Sequence, residues 1–90
     1  MDEVKLTRQQ GRGQRAEELL RNELLQEAFK TLTDDYIKAW QITSAKDTQA
    51  REQLWLAVNI IGKVQEHLKK VAIDGQIASK DLARVKYLKP

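Results

Sequence analysis

Between residues 15 and 43 the apolar positions Leu20, Leu24, Leu25, Ala28, Phe29, Leu32, Tyr36, Ala39 and Trp40 recur largely at steps of three and four. That period sets one face of an α-helix against a core. It predicts a single amphipathic helix of about seven to eight turns. Glu17 and Glu18 fall in its first turn, where the helix dipole favours negative charge. Thr31, Thr33, Asp34 and Asp35 are its weakest stretch, where a bend is expected. The segment S-A-K-D-T then breaks the pattern and predicts a turn over residues 44–47, with Asp47 or Thr48 capping a second helix.

In residues 48–73 a seam of Leu54, Ala57, Ile61, Val64, Leu68 and Val71 runs at spacings of 3, 4, 3, 4 and 3, as in a coiled coil. Trp55, Val58 and Ala72 form a row beside it, and Leu56 and Ile60 flank its other side. This apolar sector is wider than one neighbouring helix covers. Asp74-Gly75 reads as a helix stop, with Gly75 in the left-handed conformation. Ser79 or Asp81 then caps a short third helix through Tyr87, ended by Pro90. Before the first helix, R-Q-Q-G-R-G-Q-R holds two glycines and no apolar residue, and reads as part of a mobile basic arm. The organisation expected is an arm over residues 1–13, a helical hairpin over 14–75, and a short helix or basic tail over 76–90.

The expected fold is all-α: an antiparallel helical hairpin with a short C-terminal helix, dimerising into a four-helix bundle. Two helices do not hide so broad a sector, and 90 residues make a thin core. With no Cys and one His, neither a disulfide nor a multi-histidine metal site supplements it. That leaves a second copy or another protein to cover the rest, and the oligomer interface is assigned to Leu54, Ala57, Val58, Ile61, Val64, Leu68 and Val71. Gly62, mid-helix, fits the close approach of another backbone or is simply tolerated there. Trp40 and Trp55, with Tyr36 one turn deeper, are placed in an aromatic cluster at the turn end, where they stiffen the hairpin or enter an oligomer contact.

Charge changes the picture at the chain ends. Residues 1–15 carry a net +2 and residues 76–90 a net +3, whereas residues 16–43 carry −3. Arg8, Arg12 and Arg15 are the candidate phosphate contacts. The acidic first helix is expected to repel the same backbone, so weak or no duplex binding is expected at about 150 mM salt. A base-stacking role for the tryptophans is disfavoured, since Lys38, Lys46 and Arg51 are offset by Asp34, Asp35, Asp47 and Glu52.

Catalytic chemistry finds no footing. Ser44 and Ser79 sit at expected caps or turns, away from any base. His67 lacks a second His or a Cys with which to hold a metal and reads as an exposed helix residue. Asp34 and Asp35 point about 100° apart on a helix, and G-R-G follows no strand. No catalytic, cofactor-binding or metal-binding residues are assigned, and no cofactor is expected. No apolar run approaches the roughly 18 residues of a membrane span, and M-D-E-V-K-L-T lacks a signal-peptide core.

The stretch R-A-E-E-L-L-R-N-E-L-L-Q-E-A-F, followed by the Y-x-x-A-W of Tyr36 to Trp40 and then D-T-Q-A-R-E-Q-L-W-L, resembles a set of small helical proteins of tailed bacteriophages and prophages. The resemblance covers residues 15–72. It implies a phage context, in the host cytoplasm or associated with the virion, with assembly, DNA packaging or a host-directed role all open. The leading expectation is a non-enzymatic protein that self-associates and binds another phage protein or a host protein. The alternative is a nucleic-acid-binding packaging accessory, similar to a small terminase, that uses its basic arm.

Overall fold

A computed structural model describes residues 2–88. They form three α-helices, α1 (Glu3–Arg21), α2 (Glu23–Ile42) and α3 (Thr48–Leu88), with no strand among the described residues. The all-α expectation holds. The helices group into two compact units. Unit 1 comprises Met1–Arg21 and His67–Pro90, and unit 2 comprises Asn22–Glu66. The second half of α3 belongs to the first unit, and its first half to the second.

In unit 1, α1 occupies the residues expected to be a mobile arm. Asp2 caps it, its Oδ1 accepting from the Val4 N–H at 3.0 Å and the Lys5 N–H at 3.3 Å. The sequence hides this helix because its core-facing side is made mostly of small residues. Leu6, Gly13 and Ala16 are buried on α1, and Ala72, Gly75, Ala78 and Leu82 on α3. Low side-chain volume leaves little periodic hydrophobicity to read.

The two helices cross through their glycines. A Cβ placed on Gly13 would lie 2.5 Å from the Gly75 Cα and 3.2 Å from the Val71 carbonyl oxygen, and one on Gly75 would lie 2.5 Å from the Gly13 Cα. Backbone therefore packs on backbone, and close dispersion contact replaces bulky side chains. Leu6 clusters with Ala78 and Leu82, Gln10 Nε2 donates to Ser79 Oγ at 2.9 Å, and Gln76 Nε2 donates to Glu17 Oε1 at 3.0 Å. Rising numbers on α1 meet falling numbers on α3, so the pair is antiparallel.

This crossing overturns the expected stop at Asp74-Gly75 and the separate helix beyond it. No glycine among the described residues has positive φ, and Gly75 is helical because its missing side chain admits α1. Ser79 and Asp81 cap nothing; both lie inside α3. The expected ending at Pro90 lies outside the described residues.

In unit 2 the predicted first helix is divided. Asn22, at φ −67° and ψ 116°, leaves the helical region, and its Oδ1 accepts from the Leu25 N–H at 2.9 Å. Asn competes with helical hydrogen bonding and favours a cap. The break therefore falls at residue 22, whereas Thr31 to Asp35 stay helical within α2, helped by Lys30 and Asp34 at 3.2 Å. The turn lies where the sequence places it. The Asp47 N–H donates to the Ser44 carbonyl at 3.0 Å, and Asp47 Oδ1 caps α3 through the Ala50 N–H at 3.1 Å.

Candidate interaction surfaces

Arg51 ties the two sides of that turn together. Its Nη1 donates to the Trp40 carbonyl at 3.4 Å and the Thr43 carbonyl at 3.3 Å, while its guanidinium carbon lies 4.3 Å from the Trp40 ring centroid. The α2 C-terminus has no basic residue in its own last turn, so Arg51 supplies from α3 the positive charge that the helix dipole favours there. Trp40 and Trp55 line one apolar cleft of about 120 Å³ with Ile37, Leu54 and Val58. Tyr36 is half-buried and does not line it.

The seam residues are split between the units. Leu54, Ala57, Val58 and Ile61 are half-buried in unit 2, Leu68 and Val71 are half-buried in unit 1, and Val64 is exposed. Gly62, read as a site of close backbone approach or as simply tolerated, meets no atom of its own chain within 4 Å of an added Cβ. Within the chain the close backbone approach lies at Gly13 and Gly75.

No residue of unit 2 is buried. Part of its exposed apolar surface lies in two rows with a four-residue repeat. Leu24, Ala28 and Leu32 form the row on α2, and Leu56, Ile60 and Val64 the row on α3. Leu24 is 75%, Ile60 58% and Trp55 60% exposed. At 3.6 residues per turn the α3 row lies roughly on the opposite side of that helix from Trp55 and Val58. Sequence reasoning treated Leu56 and Ile60 as flanks of a seam. Which row faces its own chain and which faces outward is set by helix rotation, and the broad apolar sector does not specify that rotation.

Unit 1 carries a surface of a different kind. Lys5, Arg8, Arg12 and Arg15 follow one another at steps of 3, 4 and 3 on α1, so they share a stripe, and all four are exposed. Among the described residues none of them is in an ion pair. Beside the stripe a polar cleft of about 190 Å³ is lined by Gln9, Arg12, His67, Lys70, Val71 and Asp74. Eleven basic and six acidic residues give unit 1 a net +5, and five basic and seven acidic residues give unit 2 a net −2. Sequence reasoning named the three arginines but not their shared face, nor the cleft that Arg12 shares with His67 and Lys70.

Among the described residues no group of three or more His, Cys, Asp or Glu is placed to hold a metal ion, and no helix is long and apolar enough to cross a membrane. Comparison with known proteins finds no matching family model, curated protein or solved structure.

Proposed function

We propose that this chain is a non-enzymatic interaction protein that self-associates through unit 2. The observation that carries the reading is the absence of any buried residue in a unit rich in Leu, Ile and Trp. Short helices draw most of their stability from tertiary packing, and here the packing within one chain leaves both four-residue rows in water. A second copy is the occupant that fits. Rows spaced by four residues are the ridges that interdigitate in the commonest helix-packing class, and a two-fold axis brings each patch onto its own equivalent. The resulting pair of helical hairpins forms a four-helix bundle.

The resemblance of residues 15–72 to small phage proteins adds a setting. In it the assembled bundle presents the remaining apolar cleft, with Trp40 and Trp55 as anchors, to a phage or host protein.

Sedimentation equilibrium at micromolar concentration tests the self-association, with a mass above the 10.4 kDa of one chain expected. Ile60→Asp is expected to shift the protein to monomer, since the carboxylate stands in water in a single chain and is buried without a partner in the bundle. A clean monomer for the unaltered chain overturns the reading.

A further inference from the structure

We propose that unit 1 binds the phosphate backbone of duplex nucleic acid along the α1 stripe of Lys5, Arg8, Arg12 and Arg15, with Lys70 at its edge. This inference stands on unit 1 alone and holds whether or not unit 2 self-associates.

The charges are ordered. A helix capped by Asp2 and clamped to α3 at the glycine crossing holds the four cations at intervals of about 4.5–6 Å over a span of about 15 Å. One strand of a duplex presents a phosphate about every 3.4 Å of axis, so the stripe spans about four phosphates. The side chains are also unengaged. With no ion pair to break, each contact costs only the ordering of the side chain and gains by counterion release. Lys70 and His67 enter the adjoining cleft from α3, where Asp74 is the opposing charge. Two acids of the acid-rich stretch, Glu17 and Glu18, lie on α1 itself, yet the unit that carries the stripe keeps a net charge of +5.

The same face argues against other polyanions. A lipid surface takes up an amphipathic helix by a continuous apolar side, but Leu6 of α1 is packed with Ala78 and Leu82 of α3, which leaves only the separated Val4 and Leu19 as exposed large apolar residues of the helix. Single-stranded nucleic acid is held by stacking on aromatic rings, and α1 contains none. Duplex phosphate, recognised by charge and spacing without base contacts, is what remains.

Fluorescence anisotropy with a labelled 30-base-pair duplex DNA, titrated with the full chain between 50 and 200 mM salt, tests this. Four contacts predict a slope of log affinity on log salt of about −3.6 per chain, or a loss of about a hundredfold over that range. Replacing Arg8, Arg12 and Arg15 together by Ala is expected to cut the slope to about −0.9 with helicity unchanged by circular dichroism. Replacing the same three by Lys is expected to retain binding, because point charge suffices for a phosphate. Replacing Lys80, Arg84 and Lys86 by Ala, outside the stripe, is expected to change affinity less than threefold. Three results overturn the proposal: duplex binding unaffected by the triple Ala variant, binding lost instead in the Lys80, Arg84 and Lys86 variant, or binding to vesicles containing phosphatidylserine but not to the duplex. If the triple Ala variant loses helicity, the Lys variant decides, and loss of binding with its fold intact also overturns the proposal.

Discussion

Unit 1 and unit 2 invert the usual relation between hydrophobicity and burial. Unit 1 is poor in large apolar residues on α1 yet contains every buried residue described, including Ala78 at 1% exposure. Unit 2 holds both tryptophans and four of the six isoleucines, and buries nothing. Where Gly13 meets Gly75, two backbones close on one another and small side chains suffice to exclude water. Where Leu, Ile and Trp are spread over two helices, α2 and the first half of α3, their outer surfaces stay open. Burial thus reports how completely an element is surrounded, and a chain rich in large apolar residues still needs a partner when it has only two helices to offer.

The comparison breaks most decisively at the crossing. Gly75→Val forces β-branched carbons into the space that the Gly13 backbone occupies, where even a single Cβ stands at 2.5 Å. Overpacking of a tight core costs about 1–3 kcal/mol and sometimes more, and rigid backbone on the opposing side sets this site at about 3 kcal/mol. Urea denaturation followed by circular dichroism is expected to show that loss. Gly13→Ala is expected to show a smaller loss of about 1–2 kcal/mol, because helix propensity returns part of the cost. If both variants match the unaltered chain, the close crossing is absent.

In unit 2 the corresponding test is at Arg51. Arg51→Ala removes two hydrogen bonds to carbonyls at the end of α2 and the stacking over Trp40. The site is partly exposed, so the cost is expected to be about 1 kcal/mol. Arg51→Lys is expected to recover less than half, because an ammonium does not reproduce the planar fork over the ring. Full recovery by Lys shows that charge alone, and not the guanidinium, closes the turn.

These sites also show what the sequence made legible. The turn over residues 44–47 and the start of α3 were readable because they rest on local chemistry: a cap at Asp47 and a break in hydrophobic period. The interruption at Asn22 was local too, but the apolar period carries on across it and masks the cap. The α1–α3 pairing was not readable. Its signal is a set of glycines and alanines in two segments about 60 residues apart, and Gly75 beside Asp74 has the same appearance as a helix stop. The choice between stop and crossing is made by a partner far along the chain. The arginines were visible as charges, but their use depends on whether α1 is ordered, and that order comes from the same hidden crossing.

The smallest expected effect separates glycines that pack from glycines that do not. An added Cβ meets only the Arg15 side chain at 3.9 Å when placed on Gly11, and nothing within 4 Å when placed on Gly62. Both are helical without positive φ, so Gly11→Ala and Gly62→Ala are each expected to raise stability by about 0.5–1 kcal/mol through helix propensity and the reduced entropy of the unfolded chain. Thermal unfolding should show melting points a few degrees higher, opposite in sign to Gly13→Ala on the same helix as Gly11. Gly62 adds a second readout, since it lies in the unit assigned to self-association. If Gly62→Ala stabilises the fold and leaves the sedimentation mass unchanged, the second copy docks on the Leu56, Ile60 and Val64 row, away from Gly62. If the mass falls, the partner helix crosses at Gly62, and unit 2 meets its second copy by the same glycine-mediated approach that unit 1 uses within one chain.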